Sequence, residues 1–175
     1  MKKILLILPF LTILIISSVL LVFLLQKKDP NKPPSALLNE KLPEFSLINL
    51  FDENKLISNN DVKEKFVLMN YFASWCAPCK VEHPFFFDIK EKYPYLFIIG
   101  VNHKDIKLDA LDYLNKYGNP YDYVGVDKKG LIGLEFGVFG LPETFIINLS
   151  GKIIYKYLGP LTKEVIENEI YPLLK

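Results

Sequence analysis

The chain has 175 residues, which is enough for one globular domain and an additional segment, and half of its residues are hydrophobic. Its formal net charge is +1 and all 21 basic residues are lysine, so it has neither a strong positive charge nor arginine for recognising nucleic acid. The composition therefore excludes a dedicated nucleic-acid-binding protein.

The first predicted element is an apolar helix at the amino terminus. Ile4 to Leu25 contain no charged residue, and at about 1.5 Å per residue this stretch is long enough for the roughly 30 Å hydrocarbon core of a bilayer. A cleaved signal peptide would have a shorter apolar core and a small-residue cleavage site, and neither is found. We expect residues 1–26 to be an uncleaved signal anchor, a transmembrane helix, followed by a linker over 27–41 and a folded domain over 42–175.

Strand and helix patterns alternate along the rest of the chain. A strand–helix–strand unit is followed later by two strands and a helix, which predicts an α/β fold with a mixed central sheet flanked by helices. Thr162 is the expected N-cap of the last helix. The predicted strands cover 44–50, which could instead be part of a hairpin, 66–72, 95–101, 123–126, 144–148 and 152–158, and the predicted helices cover 76–92, 108–117, 129–136 and the stretch after Thr162.

The only two cysteines, Cys76 and Cys79, lie where the strand 66–72 leads into the next helix. A Cys-x-x-Cys pair in this position is typical of thiol–disulfide exchange sites. The helix N-terminus presents unpaired N–H groups and partial positive charge, which favours the thiolate form of a solvent-facing Cys76. We therefore expect Cys76 to be the attacking thiol and Cys79, one turn further on, to resolve the mixed disulfide.

Two other interpretations of the cysteine pair, a metal site and a structural disulfide, are less favoured. A zinc or copper site usually needs more ligands than two cysteines, and although His83 could supply a third, no fourth is evident. A purely structural disulfide is less favoured, because closing so short a loop constrains the unfolded chain weakly. No metal ligand and no cofactor beyond the redox-active cysteine pair are expected.

Four stretches carry a family resemblance: 75–79, 79–84, 118–121 and 137–145. The most specific of them is the last, Gly-Val-Phe-Gly-Leu-Pro-Glu-Thr-Phe. Together they resemble the CcmG/DsbE family, the membrane-tethered, thioredoxin-like thiol–disulfide proteins of cytochrome c maturation, and the resemblance covers about residues 42–172. Anchored reductases of the ResA and TlpA type share most of the same fold.

The resemblance implies a function and a location. The reduced cysteine pair would donate electrons to a disulfide in apocytochrome c or another disulfide-bearing protein. A membrane electron donor of the DsbD or CcdA kind would then reduce the oxidised cysteine pair again. The chain would be a single-pass protein of the inner (cytoplasmic) membrane with its catalytic domain in the periplasm. The alternatives are another extracytoplasmic disulfide reductase or oxidase, or a copper or haem-pathway chaperone.

The resemblance also assigns residues around the cysteines. Pro142 matches the cis-proline that faces the cysteines, and a cis bond after Leu141 would expose backbone for pairing with an extended substrate. Phe139 and Leu141 flank this proline and could line a substrate groove. Trp75 would shield the thiols and contact substrate, and Pro78 lies within the motif as a further modulator of the site.

Two glutamates are expected to modulate the site, since both acidic positions shape the active site of the resembled family. A carboxylate near the thiols raises their pKa, and Glu82, three residues after Cys79, could also shuttle the proton of Cys79. The less specific interpretation makes Glu82 a solvated helix residue and Glu143 a charge at the rim. Asn70 stands where thioredoxin has a buried aspartate and cannot act as a base, so any proton relay would fall to Glu82 or Glu143.

Overall fold

The computed structural model describes residues 2–25, 29–32 and 34–174. The end of the predicted anchor at residue 26 and the start of the predicted linker at residue 27 lie outside the described residues. The chain divides into two compact units, Met1–Pro30 and Asn31–Lys175.

The first unit consists of helix α1, Lys2–Leu25. Within the described residues, its stretch Ile7–Leu25 is the one helix long and apolar enough to cross a membrane. The hydroxyls of Thr12 and Ser18 donate to carbonyl oxygens of the same helix, those of Pro9 and Leu14, so these polar groups are satisfied internally. The helix is therefore a candidate membrane anchor, as the sequence predicts.

The second unit is built on a mixed sheet of seven strands in the order β2-β1-β5-β4-β3-β6-β7. Strands β3, β4 and β5 run parallel, whereas β6 is antiparallel to β3 and β1 is antiparallel to β5. This is the predicted thioredoxin-like arrangement. The strands are β1 (Ser46–Asn49), β2 (Leu56–Ser58), β3 (Val67–Phe72), β4 (Phe97–His103), β5 (Tyr123–Asp127), β6 (Glu143–Ile147) and β7 (Ile153–Leu158).

Helices cover both faces of the sheet, and the predicted N-cap of the last one is confirmed, since the Thr162 side chain accepts a hydrogen bond from the Val165 N–H. The short elements β2 and α2 were not predicted, because three or four residues show no measurable periodicity. The helices are α2 (Asn59–Val62), α3 (Ala77–Lys92), α4 (Lys107–Tyr117), α5 (Leu131–Glu135), α6 (Lys163–Val165), a π-helical turn (Ile166–Ile170) and α7 (Tyr171–Leu173).

Strand β3 is buried on both faces and separates two apolar clusters. Leu68 and Phe72 belong to the cluster that also contains both cysteines, whereas Met69 and Tyr71 belong to the other. Side chains alternate between the faces of a strand, so Asn70 projects toward the cysteine-containing cluster. The sheet thus places a polar side chain inside the core beneath the cysteine motif.

The residues before the sheet lie against strand β7. The carbonyl of Asn31 accepts a hydrogen bond from the Leu158 N–H at 2.8 Å, and Ile153 exchanges backbone hydrogen bonds with Asn39 and Glu40 at 2.7 and 3.0 Å. The described part of the predicted linker therefore makes ordered contacts with the domain.

Candidate active site

The cysteine motif occupies the turn between β3 and α3. The Cys76 N–H donates to the Ala73 carbonyl at 3.2 Å and closes the turn, and α3 begins at the next residue. The Cys76 sulfur accepts a hydrogen bond from the Cys79 N–H at 3.2 Å, so Cys76 is the N-cap of the helix. An N-terminal N–H group directed at the sulfur is the contact that stabilises a thiolate, which is what the sequence predicts.

Cys76 and Cys79 form a disulfide, and both are buried. Only 3% of Cys76 and 2% of Cys79 is exposed, because both pack into the apolar cluster on the helix side of the sheet. The expectation of a solvent-facing thiolate concerns the reduced form and stays a prediction. In the disulfide form, only a small part of either cysteine is open to a partner.

Trp75 and Pro78 lie on the outside of the same turn. Trp75 is 60% exposed, and its indole N–H donates to the Lys104 carbonyl at 3.2 Å. Pro78 is exposed in the first turn of α3, where its missing N–H costs no helical hydrogen bond. Trp75 therefore presents an apolar surface beside the cysteines.

The loop before β6 carries the predicted cis-proline. The Leu141–Pro142 peptide bond is cis, as expected. Leu141 is partly buried and packs against both apolar clusters, whereas Phe139 is 69% exposed. The loop thus has one apolar side chain in the solvent and one against the core.

Glu82 is buried beneath the motif, with 0% of its surface exposed. Its Oε1 accepts a hydrogen bond from the Asn70 amide at 2.8 Å and its Oε2 accepts one from the Leu161 N–H at 2.8 Å. The interpretation of Glu82 as a solvated helix residue is therefore wrong. Cys79 lies three residues earlier on α3, on the same helix face.

Burial raises the pKa of Glu82 to about 8, although the hydrogen bonds from Leu161 and Asn70 oppose this shift. A carboxyl group with that pKa can hold or release a proton near neutral pH. It is thus suited to exchange protons with a neighbouring thiol.

Asn70 orients Glu82. The Tyr121 hydroxyl donates to the Asn70 side-chain oxygen at 3.0 Å, which directs the amide nitrogen toward Glu82 and, at 3.2 Å, toward the hydroxyl of Thr144. Burial, followed by the charge of Glu82, holds the pKa of Tyr121 well above its usual value, so this hydroxyl remains a donor. Asn70 therefore contributes by positioning Glu82.

Glu143 lies on the opposite face of the sheet and forms a buried ion pair. It is fully buried, its Oε1 lies 3.0 Å from the Lys156 ammonium, and its Oε2 accepts a hydrogen bond from the Phe139 N–H at 2.9 Å. Lys156 also donates to the Gly137 carbonyl at 2.7 Å. The interpretation of Glu143 as a rim charge is therefore wrong. The pair holds the loop that leads to Pro142 at two points.

Replacing Lys156 with methionine is expected to destabilise the domain by about 3–5 kcal/mol, because it leaves the Glu143 charge buried without a partner. Urea unfolding followed by the emission of Trp75, the only tryptophan, measures the effect. Lys156→Arg keeps the charge and is the control, and adding Glu143→Gln to Lys156→Met should restore most of the loss. A loss below about 1 kcal/mol would contradict the importance of the pair.

His83 packs inside the domain. Its Nε2 lies 3.0 Å from the Gly118 carbonyl and therefore carries the proton, and its ring lies edge-on to Tyr113 with centroids 5.0 Å apart. Burial lowers the pKa of His83, so the ring is neutral at neutral pH.

Sequence reasoning missed Lys156 and Leu161, which contact Glu143 and Glu82, and it assigned no role to Tyr121 although this residue lies in the stretch 118–121. A lysine within the apolar strand Ile153–Leu158 was the one available signal, because a charge at an inward position of a strand requires a partner. Leu161 acts through its backbone, so its residue type carries no signal.

Similarity to known proteins covers most of the chain. The Redoxin family model matches residues 37–172. A protein of Pasteurella multocida named as thiol:disulfide interchange protein DsbE-2 is 38% identical over 94% of this chain and 85% of its own length. Thiol:disulfide interchange protein HelX of Rhodobacter capsulatus is 40% identical over 87% of this chain and 85% of its own length.

The fold has solved counterparts. A crystal structure from Chlorobium tepidum, described as a thiol:disulfide interchange protein DsbE, superimposes with a TM-score of 0.70 at 27% identity. The match covers 81% of this chain and 100% of that one.

Proposed function

The chain belongs to the CcmG/DsbE family of thiol:disulfide interchange proteins, and from this membership we propose that it reduces disulfides in apocytochrome c during cytochrome c maturation. It is a thiol–disulfide oxidoreductase. The observation that carries the proposal is the position of the Cys76 sulfur, which caps α3 and is bonded to Cys79 beside the exposed Trp75.

The reaction runs through one mixed disulfide. The Cys76 thiolate attacks a sulfur of the substrate disulfide, a bond forms between these two sulfurs, and the other substrate sulfur leaves as a thiolate. The Cys79 thiolate then attacks Cys76 and expels the second substrate thiolate. The substrate gains two electrons, and the protein is left with the Cys76–Cys79 disulfide.

Glu82 is proposed to accept the proton of Cys79 in the second step. Its position one helical turn from Cys79, its burial and its pKa of about 8 support this role. Because the acid and its conjugate base are both accessible near neutral pH, the same group can return a proton to Cys79 when the pair is reduced again.

The substrate would bind across the apolar side chains that surround the motif. Trp75 and Phe139 are largely exposed, and Leu141 precedes the cis peptide bond of Pro142. The backbone of Leu141 would pair in β fashion with the extended substrate chain. Glu143 would act on this site through the loop that it fixes.

The proposed location is the inner membrane, with α1 as a single-pass anchor and the catalytic domain on the periplasmic side. The apolar character of α1 and the need for reversible thiol chemistry outside the cytoplasm support this. We propose that the chain consists of an anchor over 1–26, a linker over 27–41 and a folded domain over 42–175. A DsbD- or CcdA-type membrane protein would supply the electrons.

The proposal is tested with the full-length protein in detergent, reduced and freed of excess reductant. It is mixed with a synthetic peptide that contains an oxidised Cys-x-x-Cys-His sequence, and loss of the peptide disulfide is followed by mass spectrometry. A matched Cys-x-x-Cys-Ala peptide and oxidised insulin are the controls. We expect the histidine-containing peptide to be reduced fastest.

The outcomes distinguish a wrong substrate assignment from a wrong assignment of the reaction. Equal rates for all three disulfides would replace the apocytochrome assignment with that of a general reductase. No reduction of any of them would reject the reductase function itself.

A further inference from the structure

A carboxylate from the loop after β4 holds the turn that carries the cysteines. Asp105 is 8% exposed and accepts two hydrogen bonds from Ser74, one from its N–H at 2.7 Å and one from its hydroxyl at 2.8 Å. The Asn102 side-chain amide and the Ile106 N–H each donate to the same carboxylate at 2.8 Å. Both oxygens of Asp105 are therefore fully engaged.

Asp105 is the acceptor in all four of these hydrogen bonds, two on each of its oxygens. None of the donors is charged, and no ion pair of Asp105 is found within the described part of the chain. The carboxyl group of Asp105 is therefore held in place by uncharged donors.

The same loop binds the cysteine turn at a second point. The Lys104 carbonyl accepts the indole N–H of Trp75, and Lys104 itself has a φ of +49°, a left-handed conformation that is uncommon for lysine. Ser74 is two residues from Cys76, and the hydrogen bond between the Cys76 N–H and the Ala73 carbonyl keeps the turn compact. Asp105 is therefore hydrogen-bonded to the turn two residues before Cys76.

We propose that Asp105 is a positioning residue that fixes the cysteine turn and whose charge opposes ionisation of the Cys76 thiol. A nearby negative charge disfavours a thiolate, and destabilising the thiolate makes the reduced pair a better electron donor. The inference rests on the proposed function, because it takes Cys76 as the attacking thiol. The other titratable side chains near this turn in the sequence of the same elements include Lys80, Glu82 and His83 of α3, His103 of β4, Lys104 of the loop and Glu143 of β6, and α3 carries Asp88, Lys90, Glu91 and Lys92 in its second half.

The test measures the pH dependence of alkylation in the full-length protein in detergent, with Cys79→Ser present so that Cys76 is the only thiol. Asp105→Asn removes the carboxylate and is expected to lower the pH midpoint of iodoacetamide alkylation by on the order of one unit, the size of the Coulomb interaction of two unit charges roughly 10 Å apart at an effective dielectric constant of about 20. Asp105→Ser is also neutral and too small to clash with the four donors. Asp105→Ser should also lower the alkylation midpoint, and it replaces Asp105→Asn in the test if that variant does not fold.

Two further variants separate charge from position. Asp105→Glu keeps the charge but lengthens the side chain, and Ser74→Ala keeps the charge but loses one hydrogen bond. Both should alter the emission of Trp75, which reports the turn, without lowering the alkylation midpoint. The inference is overturned if neither neutral variant lowers the midpoint, or if Asp105→Glu lowers it equally.

Failure of the proposed function would look different. If the folded Cys79→Ser protein is not alkylated at any pH below its unfolding range, Cys76 is not an accessible nucleophile, and both proposals fail. Alkylation with a midpoint that does not respond to the charge at position 105 would reject only the role of Asp105.

Discussion

Replacing Cys79 with serine is expected to abolish turnover and to make the protein accumulate as a mixed disulfide with its substrate. Cys76 keeps its place as N-cap of α3 in this variant and can still attack, but no second thiol remains to release the product. The trapped species is measured by non-reducing electrophoresis, and its partner is identified by mass spectrometry.

The reverse variant is the matched control. Cys76→Ser leaves Cys79 as the only cysteine. Cys79 is 2% exposed and lies in the first turn of α3, so this variant should trap no substrate. Equal trapping by both variants would contradict the assignment of Cys76 as the attacking thiol. If the trapped proteins are not cytochromes, apocytochrome c is rejected as the substrate, whereas thiol–disulfide exchange through Cys76 is still supported.

Glu82 is expected to make the stability of the oxidised domain fall as the pH rises from about 4.5 to about 8. Its pKa is about 8 in the folded protein against 4.5 for the free side chain, so the folded state keeps a proton that the unfolded state has lost. The resulting stabilisation is fully present below the unfolded-state pKa of 4.5, and it is lost as the pH rises through the folded-state pKa of about 8. The total is on the order of 5 kcal/mol, with a slope of up to about 1.4 kcal/mol per pH unit.

Glu82→Gln should remove this slope, because glutamine does not titrate. The free energy of unfolding is measured with urea across the same pH window, by the emission of Trp75. Glu91→Gln changes an exposed glutamate on the same helix and should leave the slope as it is. If Glu82→Gln has the slope of the unmodified protein, the buried carboxyl is ionised throughout and cannot serve as a proton relay at neutral pH.

The sheet and the position of the cysteines could be predicted because their signals are local. The apolar run before Cys76 forms β3, the helix begins immediately after Cys76, and Pro142 is cis as its surrounding motif predicts. Each of these features depends on residues that are adjacent in the sequence.

The environment of the site depends on residues that are distant in sequence, and it was predicted less well. Glu82 contacts Leu161, which is 79 positions away, and Asn70 contacts Tyr121, which is 51 positions away. A helix pattern shows which face Glu82 occupies but not what covers that face, so its burial could not be separated from a solvated position. The burial of Cys76 in the disulfide form was missed for the same reason.

The contacts of the amino-terminal stretch with β7 determine how a soluble form of the domain should be made. An open edge strand offers unpaired backbone groups to other chains and promotes aggregation. Ile153 directs its N–H and its carbonyl to residues 39 and 40 on the side of β7 opposite β6, and Leu158 donates to residue 31. An expression boundary at Leu42 would uncover this edge, so a truncation that removes only the membrane helix should keep the chain from Asn31 onward.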